Sequence, residues 1–246
     1  MYKIYIIFIC CLLLSCRAFA QFNDSTDYHI NLISTGSINR ATNVNTYLLN
    51  NALAFGMKKN NLDLNANNTW VYGKSNNALT NNDYSSVINF DVHTHSDKIY
   101  YWSMANYNTS FSLKINSQLL AGGGIAYNII SNKKKNAWLN ISDCILYDKS
   151  DLFINDSIRD VYHTFRNSFR LQFNFVIAKL ITINSSTFLQ NSFSRASDYI
   201  FRTNNTASLK LGKWLSFTTV FSYNDENRTY SQNLLFTYGL TFDKYF

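Results

Sequence analysis

Apolar and polar residues alternate with a period of two along most of the chain, and helical periodicity is nearly absent. Residues 165–177 show this most fully. Phe165, Phe169, Leu171, Phe173, Phe175 and Ile177 fall on one face, interrupted by Asn167, while Arg166, Ser168, Arg170, Gln172 and Asn174 fall on the other. A strand in a soluble sandwich also alternates, but it rarely sets two arginines opposite so long an apolar row. Lipid on one side and a wet lumen on the other call for that pattern. Twelve such runs occur, near 27–36, 44–57, 61–73, 84–95, 98–108, 115–130, 136–147, 160–177, 180–192, 197–210, 214–224 and 231–245. They predict an all-β fold, a closed antiparallel transmembrane β-barrel of about twelve strands, or of ten or fourteen if a hairpin is merged or split.

The links between runs alternate in length. Those after even-numbered runs are short (KKN, SD, SNKKK, AK, LGK), and those after odd-numbered runs are mostly longer and polar (SINRATN, GKSNNALTNND, NTSFSLK, DKSDLFINDSIR, FSRA, NDENRTYS). Short periplasmic turns and longer outer loops distinguish the two ends of such barrels, which predicts both termini on the periplasmic side.

The last run, NLLFTYGLTFDKYF, places Leu234, Phe236, Tyr238, Leu240, Phe242 and Phe246 on one face, with Lys244 the polar exception. Thr237, Gly239, Thr241 and Asp243 share the other. In water this would be an exposed edge. Paired to the first strand it leaves no edge, as hydrocarbon requires. Gly239, Phe242 and the final Phe246 resemble the assembly signal that the barrel-insertion machinery reads, while a soluble barrel closing on an amphipathic strand is the plainer alternative.

At the other end, MYKIYIIFICCLLLSCRAFA has an early lysine, an apolar run too short to span a bilayer, and Ala18-Phe19-Ala20 at a cleavage site. Residues 1–20 are therefore expected to be a cleaved signal peptide and 21–246 the barrel domain. A lipoprotein site at Leu13-Leu14-Ser15-Cys16 is the competing reading. With the leader removed, Cys144 is the one cysteine left and no intrachain disulfide is expected.

Composition agrees with a membrane setting. Proline is absent, 17 Tyr and 19 Phe bring aromatics to 16%, and charged residues reach only 15%, which fits neither a disordered chain nor an ordinary soluble surface. The net charge of +7 falls to +5 without Lys3 and Arg17. The lysines sit mostly singly at turns, apart from Lys58-Lys59 and Lys133-Lys134-Lys135, so no nucleic-acid partner is expected. Tyr28, Trp70, Tyr72, Tyr84, Tyr147, Tyr199, Trp214, Tyr223 and Tyr230 lie near run ends, where interfacial aromatic girdles form, although β-propensity alone also places such residues in strands.

Three stretches carry a family resemblance: STGSINRATN, similar to a Ser-Gly-Asn-x-x-Thr hairpin, LLAGGGIAYNI, similar to a Gly-x-Gly-x-x-Tyr strand, and YGLTFDKYF. Over residues 27–246 the chain resembles the DUF481 family, described as salt-induced outer-membrane proteins, with Ser37 standing where that family often has Asn. The resemblance implies an outer-membrane barrel and supplies no molecular activity.

Candidate chemistry is sparse. In FDVHTHS, Asp91, His93 and His95 project to one strand face about 7 Å apart. A His-x-His pair needs a third ligand from a neighbouring strand to hold zinc, and a lumen also takes polar residues without a metal. His163 near Ser157 and Ser168 is the one pairing that suggests an activated serine, and Ser168 lies on the opposite face from His163. No catalytic residue, metal or cofactor is assigned. Alternation turns Arg166, Arg170, Gln172, Arg202 and Lys210 toward the lumen, with Asp63, Asp91 and Asp243 also inward. Such a network either ties strands together as a plug or lines a narrow anion-leaning pore. Gly122 and Gly124, also inward, leave room for a bulky neighbour or a gap.

The expectation is an integral protein of the bacterial outer membrane, in contact with membrane lipid and inserted by the barrel-assembly machinery. It would support envelope integrity or pass small solutes whose identity is unknown. The alternatives are a lipid-processing barrel enzyme and a secreted lipocalin-like binder.

Overall fold

The computed structural model describes residues 28–94, 98–132, 137–155 and 158–246. The expected signal peptide, His95, Ser157 and Lys133-Lys134-Lys135 lie outside them. Twelve strands follow one another: β1 Tyr28–Ala41, β2 Val44–Lys59, β3 Leu62–Ser75, β4 Ala78–His93, β5 Ile99–Ser110, β6 Ile115–Asn132, β7 Ala137–Asn155, β8 Ile158–Ile177, β9 Ile181–Ser192, β10 Tyr199–Lys210, β11 Leu215–Glu226 and β12 Ser231–Tyr245. Each pairs antiparallel with its chain neighbours, and β12 returns to β1 to close the barrel. The closing seam runs in register from His29 opposite Tyr245 to Gly36 opposite Tyr238. No backbone edge is left for hydrocarbon to meet. No described helix is long and apolar enough to cross a membrane, which says nothing against crossing by strands.

The outward faces carry the apolar rows. Phe165, Phe169, Ile145, Ile125, Leu53, Phe217, Phe236 and Leu240 are all exposed on the outside of the barrel. So continuous an apolar belt exceeds what a soluble monomer leaves in water. Where the final strand's two faces were expected, β12 shows them: Leu234, Phe236, Tyr238, Leu240 and Phe242 outside, Thr237 and Thr241 buried within.

The strands run longer than the alternation suggests. A tilted strand crosses a bilayer in about 9–11 residues, yet β6 has 18, β7 has 19 and β8 has 20. The polar stretches read as loops after odd-numbered runs are mostly strand. Residues 37–41 continue β1, and 148–155 continue β7. The physical reason is that ladder hydrogen bonds join backbones whatever the side chains, and along 148–152 the inward residues Asp148, Ser150 and Leu152 are buried. Asn76 and Asn77 (φ 48° and 67°) make the tight β3–β4 turn, and Ala178 and Lys179 (φ 52° and 57°) make the β8–β9 turn, the left-handed pair that a twisted hairpin needs. The longest described link, 193–198, has six residues. Tyr28 and Phe246 are paired through their backbones at one end of the barrel, the terminal rim, and the opposite end is the far rim.

Candidate functional site: the lumen

The inward faces divide into two unlike regions. On β5–β8 the lumen is filled. Trp102, Met104, Leu120, Cys144 and Leu146 are buried together, with Tyr100, Ala126 and, from the adjoining β9, Phe188 against them. Leu120 and Leu146 have no accessible surface. Glycines make this packing possible. Gly122 lies between Met104 and Leu146, and Gly124 between Trp102 and Cys144, in adjacent strands. A Cβ on Gly124 would sit 2.6 Å from Cys144 Cα, and one on Gly122 would sit 2.9 Å from Leu146 Cα. Of the two roles open for these glycines, the structure has the bulky neighbour, Trp102, and no gap. The Arg170 guanidinium lies over the Trp102 ring at 3.8 Å, and its Nε donates to Ser142 Oγ at 2.8 Å. That stacking suits a planar, weakly hydrated cation in a dry setting.

Toward the far rim, this region ends in a network of buried charges. Arg166, with no accessible side-chain surface, donates from Nε to Asp148 Oδ2 at 2.6 Å and from Nη2 to Asp198 Oδ1 at 2.8 Å. Its Nη2 also donates to Tyr162 Oη at 2.8 Å. Arg228, on the 3-10 turn Asn227–Thr229, donates to Asp160 at 2.6 Å and to the second oxygen of Asp198 at 3.0 Å. Its guanidinium covers the Tyr162 ring at 3.5 Å. Arg202 Nη2 donates to Gln118 Oε1 at 2.7 Å, joining β10 to β6 across the lumen, and lies 3.7 Å from the buried Glu226. A second bridge crosses from β12: Asn233 donates to Ser112 Oγ at 2.8 Å, and Ser112 donates to Asp83 at 2.8 Å. Both Glu226 carboxylate oxygens and Gln118 Nε2 lack a hydrogen-bond partner, so this closure is held by good ion pairs at one point and by poorly satisfied groups at another.

Between β1–β3 and β8–β11 the lumen is open. A cavity of about 310 Å³ is lined on one wall by Asn50 and Asn67 and on the other by Gln172, Asn184 and Asn204, with Trp138 at its edge. The small Ala52 and Ala54 on β2 leave it room. Asn67, Asn184 and Asn204 point inward by register yet are exposed, so this is wetted surface inside the barrel.

At the terminal rim, His93 Nε2 lies 2.9 Å from Asp63, which also has Lys58 at 3.7 Å, and Asp91 faces Asp63 in register. His29 Nε2 lies 3.2 Å from Asp243, which accepts from Asn31 as well. Histidine–carboxylate pairs account for His29 and His93, and no cluster able to hold a metal occurs among the described residues. His95, the third member of the metal candidate, lies outside them. His163 faces outward beside Tyr147, at 6.3 Å between ring centroids, whereas Ser168 is buried inside, so that pair is kept apart.

The residues singled out for the lumen thus have different surroundings. Arg166 and Arg170 are buried in the filled region, Arg202 belongs to the bridge above the cavity, Gln172 lines the cavity, and Lys210 is on the exposed inward face of β10 near the terminal rim. The anion-leaning pore does not match this arrangement, because the arginine charge is spent on Asp148, Asp198 and Glu226 or stacked on Trp102. Those acids, with Asp160, Gln118 and Tyr162, escape the sequence reading: Asp148 and Glu226 lie in stretches read as loops. The available signal was that Asp148 continues the inward phase of Cys144 and Leu146. Gly239 has a structural role in the seam, where a Cβ would come 2.7 Å from Thr35 Cα. Phe242 and Phe246 are on the outside.

A closed twelve-strand antiparallel barrel, apolar outside and polar within, is the architecture of outer-membrane β-barrels. The chain is similar to the NanC porin, at 10% identity over 89% of this chain and 99% of that one, with a TM-score of 0.51. It is similar as well to an outer-membrane channel from Pseudomonas putida F1, at 10% identity, 95% and 100% coverage and a TM-score of 0.49. The translocator domain of the autotransporter NalP from Neisseria meningitidis aligns at 11% identity, 97% and 95% coverage and a TM-score of 0.46. At such identities the shared property is the fold. No protein-family model matches the chain, so the likeness to DUF481 rests on the three stretches quoted for it. No curated protein matches it either.

Proposed function

We propose that this protein is an integral barrel of the bacterial outer membrane that passes small solutes through a narrow, off-centre path. The termini face the periplasm and the far rim faces outward. The observation that carries the reading is the division of the lumen: water-accessible amides line one side, and a dry packed region fills the other. A barrel built only for integrity gains nothing from a wetted cavity between its walls, whereas a path for solutes needs one. The apolar belt supports membrane lipid as its surroundings, and β12 with Gly239, Phe242 and Phe246 is the segment for the assembly machinery to engage. Membership in DUF481 would agree with this role.

The bridges at the far rim favour a second reading, in which the lumen stays shut and the barrel serves the envelope structurally. Conductance in planar bilayers separates the two. The channel reading expects small unitary steps from the wild-type protein and larger ones from Arg202→Ala with Asn233→Ala, which removes both bridges. Silence from both, in preparations whose folded state is shown by heat-modifiable migration, would leave the structural reading standing.

A further inference from the structure

The open part of the lumen has a chemistry of its own. Asn50, Asn67, Gln172, Asn184 and Asn204 present terminal amides from facing walls, and no charged side chain lines the cavity. Each amide brings two N–H donors and a carbonyl acceptor, so the walls offer both halves of a hydrogen bond without a net field. The charged groups at its two ends are engaged, and Lys210, further along the inward face of β10, does not line it. Arg202 is tied to Gln118 and set near Glu226 on one side, and Asp243 is met by His29 and Asn31 on the other.

An ion entering this space would shed water with no counter-charge to replace it, which is costly. A neutral solute rich in hydroxyls has a different balance. Each hydroxyl donates and accepts, and amide side chains replace its lost water contacts one for one. Its C–H face carries slight positive charge and suits the negative face of an indole, which Trp138 supplies at the edge of the cavity. The volume of about 310 Å³ lies at the small end of the about 300–1,000 Å³ usual for small-molecule sites. We infer that the cavity between β1–β3 and β8–β11 is a binding site for an uncharged polyhydroxyl solute of single-sugar size, held by the amide walls and Trp138. The inference rests on the channel reading for the solute's route, while the recognition belongs to the cavity itself.

The test uses two arms on the full barrel. In detergent micelles, tryptophan fluorescence is titrated with glucose, galactose and xylose, and with gluconate and glucosamine as charged counterparts of the same size. A saturable change is expected with at least one neutral sugar and with neither charged one. It is expected to vanish in Trp138→Phe and to weaken at least tenfold in Asn184→Leu with Asn204→Leu, or several-fold in Asn184→Ser should the double variant not fold. In proteoliposomes, swelling rates with the same solutes are expected to favour the neutral sugars. An equal response to gluconate or glucosamine, or no response to any of the three sugars by folded protein, overturns the inference. If ions cross the bilayer while the titration is silent, the inference fails and the channel stands. If the titration saturates while neither ions nor sugars cross, the channel reading fails and the site stands.

Discussion

The lumen wall along β5–β8 and the wall along β1–β3 share a backbone geometry, a register rule and a position inside one barrel, yet the first behaves as protein core and the second as wetted surface. The difference begins with side-chain size across neighbouring strands. Gly122 and Gly124 let β5 and β7 lean their large residues into one space, and once Trp102 and Leu146 meet there, water is excluded and Arg166 and Arg170 must find partners. On the opposite side Ala52, Ala54 and the asparagines do not reach across, so water stays and no charge is needed. The fully buried arginines therefore sit in the drier region, contrary to the simple picture of a charged lumen as a wet one, while the partly exposed charges of Asp63, Asp243 and Lys210 stay near the terminal rim. Burial in the drier region is tolerable only because each arginine meets a carboxylate or an aromatic face.

The contrast can be broken most severely at its origin. Gly124→Val brings side-chain atoms into the β7 backbone at Cys144, and no folded barrel is expected, read as loss of the heat-modifiable band. Next comes Asp148→Ala, which leaves Arg166 buried beside Asp198 alone. The expected cost is about 3–5 kcal/mol in urea unfolding from micelles, as for other broken buried pairs, and a rise in conductance should accompany it. Leu146→Ala, in the same region but without charge, should cost about 2–5 kcal/mol. Asn67→Ser on the wet wall should change stability by no more than about 0.5 kcal/mol, because water remains beside either side chain. A cost at Asn67 comparable to that at Leu146 would show that the two regions are not distinct.

These expectations rest on the tertiary pairing, and only part of that pairing is legible along the chain. Residues 165–177 declare their two faces because an apolar row on the outside stands opposite a polar row within, and the same holds for β12. The stretch after Tyr147 declares less, since the apolar outward row gives way there to Lys149 and Asp151, although Asp148 keeps the inward phase of Cys144 and Leu146. Asp148 consequently reads as the start of a loop, although it accepts from Arg166 at the centre of the closure. Glu226 is concealed in the same way, whereas Asp198 reads as the start of a strand and lies in the 193–198 link. The terminal-rim histidines show the converse: Asp91-x-His93-x-His95 looks like a ligand set in sequence, and a neighbouring strand supplies Asp63 as a hydrogen-bond partner for His93.

What the amino-acid order by itself determined was the class of fold, the approximate strand number and the inward or outward direction of each strand residue. Period-two alternation is a local property, written along each strand that is apolar outside and polar within. Which inward residues meet one another was decided only by closure and by the stagger between strands, because Arg202 and Gln118, 84 positions apart, become neighbours only when the sheet curls onto itself. Whether an inward residue is dry or wet depends on the size of what stands across the barrel from it, and no periodicity along a single strand carries that information.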